Sequence, residues 1–452
     1  MRIIRDGKVF MCARCPVHGP REALVCGDAD WFMGLPAFNK PGAIPLSFST
    51  MVKDGCPRDC GLCPDHEQHA CVPIIEVTNH CDLDCPICLV RNRHDWHISN
   101  KDMTAILDGL VAREGTLDVV NISGGEPTLH PDILGLVDLA ASRPQITRVV
   151  LSTNGARLAR DPDFVRELAR RRVYVNLQFD GFDDGALRAL RGDGDHAAIK
   201  RRALESLKTA RVTTTLVATL ARGVNEGALA DCLRLLQTHD NILSVIVQPA
   251  AYTGDGGGRF APHNPAGILT IPDVIRLLAE QSDGCLRRGD FLPMPCSHPS
   301  CFALTYLLDT EDGFTPLPRF LELDRYLCMI ANRATIRTDD DLEDTMRSTL
   351  DDLWASTGQV PDSEKILRAL RRAIELMYPA DRRIHAKERI RLGEGMVKSI
   401  FIHAFMDEHT FDMDRVRKCC THYALTDGRQ IPGCVYNMLY RERAACPAEP
   451  SP

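Results

Sequence analysis

The chain has 452 residues, 44% hydrophobic and 25% charged, which is enough apolar material for one large domain with smaller attachments. A net charge of −7 argues against a nucleic-acid-binding body, which needs clustered surplus Lys and Arg to neutralise phosphates. Nineteen cysteines would build disulfides in a secreted chain, but the opening MRIIRDGKVFMC has no apolar signal-like stretch and no later run is long enough to span a membrane, so a cytoplasmic protein is expected.

The cysteines gather at 12–26, 56–88, 296–328 and 419–434, which points to metal sites at both ends of a cysteine-poor body; Cys232 and Cys285 fit scattered core thiols. In chain order, Cys12, Cys15, His18 and Cys26 offer four ligands for one zinc or iron, or mark a site that no longer closes. Next, GCPRDCGLCPDHEQHAC carries Cys56, Cys60, Cys63 and Cys71, whose spacing admits zinc or a [4Fe-4S] cluster equally. A strand-like run, Val72 to Val77, then leads directly into NHCDLDCPICLV with Cys81, Cys85 and Cys88. Three thiolates on a cubane cluster leave one iron free to bind something else, which explains why the thiols stop at three. A zinc site completed by His80 or His94, or a plain turn, are the alternatives.

The middle alternates between strands and helices. A helix is predicted near Met103 to Arg113, then the strand LDVVNI, which runs into NISGGEPTLHP. Helices near Pro131 to Ala141, in DFVRELARR, around Ile199 to Ala210 and near Ala228 to Gln237 precede or follow the strands RVVLSTNG, VYVNLQFDG, TTTLVATL and LSVIVQP. Such alternation predicts parallel βα units with the chemistry at the carboxyl ends of the strands. Gly124, Gly125, Glu126, Ser152, Asn154, Gln178, Asp180 and Gln248 fall at those ends, and a carboxylate such as Glu126 accepts hydrogen bonds from an ammonium group. The basic runs Arg170-Arg171-Arg172 and Lys200-Arg201-Arg202 read as solvated helix faces. TGDGGGRF lacks the Gly-Lys-Ser/Thr of a phosphate cradle and reads as a flexible loop, and His94 and His97 read as ordinary hydrogen-bonded histidines before substrate contacts. Residues 335–400 read as a helical lid or capping bundle.

The three-cysteine loop followed one strand later by Gly-Gly-Glu-Pro resembles the radical S-adenosylmethionine superfamily, over about residues 72 to 250. That resemblance implies a partial (β/α)6 barrel with a [4Fe-4S] cluster on Cys81, Cys85 and Cys88. Its open iron would bind the amino and carboxylate groups of S-adenosylmethionine. One electron would then release methionine and a 5′-deoxyadenosyl radical that abstracts hydrogen from substrate. By position, Gly124, Gly125 and Glu126 would hold the methionine amino group, with Ser152, Asn154 and Gln178 near the ribose. Ile87 departs from relatives that carry an aromatic residue there. CPRDCGLCPDHEQHAC, VIVQPAAYTG, CSHPSC and FDMDRVRKCCTHYALTDGRQIPGCVYN resemble the branch that holds tetraether lipid synthase and the pterin methylases of the methanopterin pathway. That branch implies one or two auxiliary [4Fe-4S] clusters, on Cys56, Cys60, Cys63 and Cys71 and on Cys296, Cys301, Cys420 and Cys434.

The expected architecture is therefore α/β. A cysteine-rich N-terminal segment (1–71) precedes a partial barrel core (72–270), and a C-terminal helical extension bearing cluster ligands (271–452) follows. The expected activity is radical modification of an unactivated carbon, either C-methylation of a pterin-like heterocycle or carbon–carbon joining of lipid chains. The absence of a basic membrane-docking helix tilts away from lipid. An electron donor such as flavodoxin or ferredoxin is implied. The competing class is a degenerate iron–sulfur electron carrier or scaffold, against which the Gly-Gly-Glu-Pro strand end argues.

Overall fold

The computed structural model describes residues 1–90, 96–253, 260, 267–310, 313–334, 336, 340–355 and 360–441; His94 and residues 254–259 of TGDGGGRF lie outside them. The chain opens with an antiparallel sheet of β1 (Arg2–Arg5), β2 (Lys8–Cys15) and β3 (Gly19–Cys26), followed by the short helix α1 (Ala29–Gly34). The body is a twelve-stranded sheet. Its centre is β4 (Val72–Thr78), β5 (Leu117–Gly124), β6 (Ile146–Thr153), β7 (Tyr174–Gln178), β8 (Thr214–Leu220) and β9 (Ile242–Pro249), parallel neighbours in chain order. The helices α2 (Asn100–Glu114), α3 (Ile133–Ala141), α4 (Ala156–Arg160), α5 (Pro162–Arg170), α6 (Asp184–Arg191), α7 (His196–Thr209) and α8 (Ala228–Thr238) connect them, and α9 (Ile271–Glu280) follows β9.

Local sequence sets these boundaries. Ser99 caps α2 through the Asp102 amide at 3.0 Å, and Gly115 ends the helix at φ +71°, a left-handed position that glycine adopts without a Cβ clash. Asp161 and Asp183 cap α5 and α6 through the amides of Phe164 and Ala186.

The remaining strands are β10 (Leu292–Pro293), β11 (Phe302–Thr310), β12 (Gly313–Pro316), β13 (Val397–His403), β14 (Thr421–Ala424) and β15 (Gln430–Pro432). β13 joins β9 in parallel and β11 joins β13 antiparallel; on the far edge β14 joins β4 in parallel. The C-terminal extension thus lends the six expected parallel strands two more, in addition to its helices α10 (Leu323–Ile330), α11 (Asp340–Ala355), α12 (Ser363–Met377) and α13 (Ala386–Glu394). Alternate residues of each strand face outward. Val77, Ile122, Leu151, Leu177, Leu216, Val247 and Ile402 pack against the surrounding helices in one large core. Each such side chain contributes roughly 1.5–3 kcal/mol of burial energy. The inward residues are more polar, and α10 to α13 cover the N-terminal ends of the strands.

Candidate functional site

β4 ends at Thr78 and hands the chain to the loop of Cys81, Cys85 and Cys88, while β5 ends beside it at Gly124. The two segments are stitched together by Gly125 N–H to Thr78 O at 2.8 Å and Glu126 N–H to His80 O at 2.6 Å. The glycines are required by this approach. A Cβ on Gly124 would stand 2.2 Å from Thr78 O, one on Gly125 2.2 Å from His80 O, and Gly124 adopts φ +137°. Ile87, buried, packs with Leu190 and Ala221, so the aliphatic residue at this point has its own apolar niche. His97 stacks on His80 and meets the edge of His130, which places it in a packed histidine group.

Glu126 is 1% exposed, and its carboxylate accepts from Thr128 N and Oγ1, Thr153 Oγ1 and Asn154 N at 2.6–3.0 Å. Burial pushes its pKa up while these donors pull it down. Asn154 donates through Nδ2 to Asp82 at 2.7 Å, tying the β6 end to the cysteine loop. Ser152 lies one layer deeper, donating to Asn121 Oδ1 at 2.8 Å. Gln178 Oε1 accepts from the Lys200 ammonium at 2.6 Å, and Lys200 also reaches Asn154 O. Four of the six expected cofactor residues, Gly125, Glu126, Asn154 and Gln178, are thus joined by hydrogen bonds around one barrel end, directly or through Thr78, His80 and Lys200, with Gly124 opposite Thr78 in the ladder and Ser152 beneath them.

Beyond those six, Asp180, Arg191 and Lys200 belong to the same network, and of these only Asp180 was expected at this end. Asp180 is wholly buried; it accepts from Arg191 Nε at 2.7 Å and from Thr219 N at 2.8 Å. Arg191 in turn hydrogen-bonds the Cys85 thiol, opposing the burial that raises it. Lys200 is 2% exposed, so the solvated-face reading of Lys200-Arg201-Arg202 holds only for Arg201 and Arg202. The signal was present in the helical period. Lys200 lies three, four and seven residues before the buried Ala203, Leu204 and Leu207, on the inward stripe of α7. Burial drops its pKa to about 8.

The remaining thiols divide differently from their order in the chain. Cys56 and Cys60 hydrogen-bond each other, and Cys60 neighbours Cys63 and Cys419. Cys71 leaves that group: its thiol meets those of Cys296 and Cys420, and the shared hydrogen bond draws the Cys296 thiol down while Cys71 rises. Cys301 and Cys434 lie with Cys419 and Cys420 around a small apolar pocket, where Arg415 Nε donates to Cys301 Sγ at 3.2 Å. Cys71 and Cys420 sit at the starts of β4 and β14, and Cys296 and Cys301 just before β11, so these contacts span the seam between the two edges of the open sheet. At the N-terminus, Cys15 touches His18 at 3.3 Å, but the β2–β3 register pairs Cys12 with Glu22 and Cys26 with Val9. Three residues of strand put Cys26 about 10 Å from Cys12, so these four do not meet at one ion. Cys232 is buried in the core and Cys328 is exposed.

Burial raises the Cys81 thiol to about 12, helped by the nearby Glu126 charge, and raises Cys85 as well, so metal binding here would release protons. Among the described residues no three His, Cys, Asp or Glu side chains stand ready to hold a single ion. Three thiols on one loop, each reaching a different iron, are the donor set that a cubane cluster takes. The residues present fit that group.

Residues 75–236 match the radical SAM superfamily. Over 97% of this chain and 90% of the relative, the sequence is 29% identical to 7,8-dihydro-6-hydroxymethylpterin dimethyltransferase of Methanocaldococcus jannaschii. Over 45% of this chain and 59% of the relative, it is 26% identical to GTP 3′,8-cyclase of Shewanella denitrificans. Among solved structures, Streptococcus suis SuiB bound to precursor peptide SuiA aligns with 48% of this chain and 47% of its own, at 21% identity and a TM-score of 0.39.

Proposed function

We propose that this chain, a radical SAM enzyme that belongs to the radical SAM superfamily, methylates a carbon of a pterin-like heterocycle. The observation that carries the reading is the near full-length match to a pterin dimethyltransferase, which extends well beyond residues 75–236.

When bound, the [4Fe-4S] cluster supplies the electron that cleaves S-adenosylmethionine to methionine and a 5′-deoxyadenosyl radical. Cys81, Cys85 and Cys88 would hold it, with one iron left for the cofactor. Glu126, its carboxylate already aligned by Thr128, Thr153 and Asn154, would accept the methionine ammonium beside the Gly124-Gly125 backbone. Asn154 and Gln178, braced by Lys200, and Ser152 below them, would line the ribose side. Auxiliary clusters would draw on Cys56, Cys60 and Cys63 with Cys419, and on Cys71, Cys296 and Cys420 with Cys301 and Cys434 adjacent. Reducing equivalents would come from a flavodoxin or ferredoxin, in the cytoplasm. Among the described residues no helix is long and apolar enough to cross a membrane.

A second reading, carbon–carbon joining of lipid chains, requires a long apolar cavity, and an apolar chamber does occupy the far end of the barrel. The deciding experiment supplies reconstituted protein with S-adenosylmethionine, a strong reductant and either a reduced pterin or a lipid, and follows 5′-deoxyadenosine and product mass. Cofactor cleavage with a methylated pterin supports the proposal. Cleavage with only a joined lipid replaces it, and no cleavage in protein confirmed to carry its clusters removes both.

A further inference from the structure

A cavity inside the barrel at the N-terminal ends of the strands encloses about 310 Å3. That is the size of a small-ligand pocket, whose usual range begins at roughly 300 Å3. Asn121 and Asn176, in its wall, are hydrogen-bonded to Ser152 one layer above, on the same inner face that carries the candidate cofactor residues.

The wall chemistry changes along this lumen. Toward the cofactor end it is Ser152, Gln178 and Thr219; within the chamber it becomes Val119, Val150, Ile246 and Phe401. The charged groups that reach the chamber, Arg148 and Glu394, are committed to each other at 2.8 Å, and Tyr174 donates to Glu394 at 2.9–3.0 Å. Ser244 and Ser399 pair at 2.9 Å, Thr345 and Thr349 donate to helix carbonyls, and Thr213, Thr215 and Tyr306 bring the other hydroxyls of the wall. A charged ligand there would give up its hydration for little in return. The helical cap supplies Met329, Met346 and Met377, and the turn into β13 adds Met396, four of the chain's thirteen methionines. Unbranched thioethers repack around ligands of varied shape, whereas Leu and Ile build a fixed core.

We infer that this chamber binds an aliphatic chain, the tail of an amphiphilic acceptor whose polar, reacting end points up the same lumen toward Cys81, Cys85 and Cys88. The chamber's preference for a chain stands on its own walls; that the chain belongs to the acceptor rests on the radical chemistry proposed above.

The test uses the full chain with reconstituted clusters, without reductant or S-adenosylmethionine, titrated with dansylated undecanoic acid and competed with palmitic acid or a reduced pterin. Saturable binding displaced by palmitic acid is expected. Ala373→Trp, which fills the chamber from α12, should weaken binding by about tenfold or more, while Leu376→Trp on the exposed side of the same helix should leave it within about twofold. Equal affinity in the two folded variants overturns the inference, as does displacement by the pterin alone. Should Ala373→Trp fail to fold, Met346→Ala enlarges the chamber instead: the best-bound chain should lengthen, and an unchanged preference overturns the inference. 5′-Deoxyadenosine formation, assayed separately, keeps the two claims apart. Chain binding without cofactor cleavage removes the function and spares the chamber; cleavage without chain binding removes the chamber alone.

Discussion

Replacing Gly125 by alanine tests whether the Gly-Gly segment is there to seat the cysteine loop. Its backbone is not in the left-handed region, so the added Cβ is opposed by sterics alone: it would stand 2.2 Å from His80 O, 2.7 Å from His80 C and 2.8 Å from Asn79 O. Ordinary contact begins at 3.4 Å, so the loop must retreat by about 1.2 Å. That breaks the 2.6 Å bond from Glu126 N to His80 O and the 2.8 Å bond from Gly125 N to Thr78 O, at about 1 kcal/mol each, and adds about 1 kcal/mol of strain. The expected result is a local cost near 3 kcal/mol falling on the loop that carries all three thiols. Gly289→Ala, where an added Cβ meets nothing within 4 Å, is the control. Iron content after anaerobic reconstitution and the melting temperature are the readouts. Gly125→Ala should lose about one cluster's share of iron while the control keeps it. A Gly125→Ala protein with wild-type iron and wild-type melting refutes the seating argument.

Lys200 carries a pH signature. With its pKa lowered to about 8 in the fold, the unfolded chain binds the extra proton between about pH 8 and 10.5, so stability of iron-free protein rises with pH across that window; Lys200→Met should flatten the rise in urea titrations, and an unaltered slope contradicts the burial. Glu394→Ala strips the partner from Arg148, whose side chain is 7% exposed. Loss of about 2 kcal/mol is expected, less than for a wholly buried pair, with faster proteolysis in residues 323–394; no change in either would show that the cap does not depend on this latch. Cys71→Ser and Cys296→Ser should remove the same auxiliary electron paramagnetic resonance signal, and Cys60→Ser a different one. If Cys71 and Cys60 share a signal, their order in the chain, and not the seam, decides the grouping.

What was legible in the sequence was whatever depends on near neighbours. Strands such as LDVVNI and LSVIVQP announce themselves through apolar runs set between helices, and the structure places them at Leu117–Gly124 and Ile242–Pro249, within two residues of those runs. The cysteine loop and the Gly-Gly-Glu turn sit one strand apart and were readable together. Long-range placement was not. β14 is four residues, THYA, and its partner β4 lies about 350 positions earlier, so no local pattern assigns it to the barrel. Cys71 is eight residues from Cys63 and reads as its companion, yet it directly precedes β4, and the strand carries it to the seam. Arg191 ends α6 as an ordinary basic C-terminal residue. Only the fold brings Asp180, two residues beyond β7, and Cys85, on the loop after β4, to it.

Metal held at the seam would give its thiols a structural role as well as a chemical one. The sheet runs from β10 at one edge to β15 at the other, and among the described residues the two edges share no strand pairing. A barrel closed by a hydrogen-bonded ladder would need β10 or β12 to run beside β15; here Cys71 and Cys420 from one side of the gap meet Cys296 from the other instead. Because ligand thiols converge only in the folded chain, the free energy of metal binding at such a place is also folding free energy. Metal at the seam would therefore set the spacing of β4 and β11, whose Val72, Tyr306 and Leu308 line the apolar chamber, so removing such metal should alter ligand affinity in the chamber even where the cysteine loop keeps its own iron.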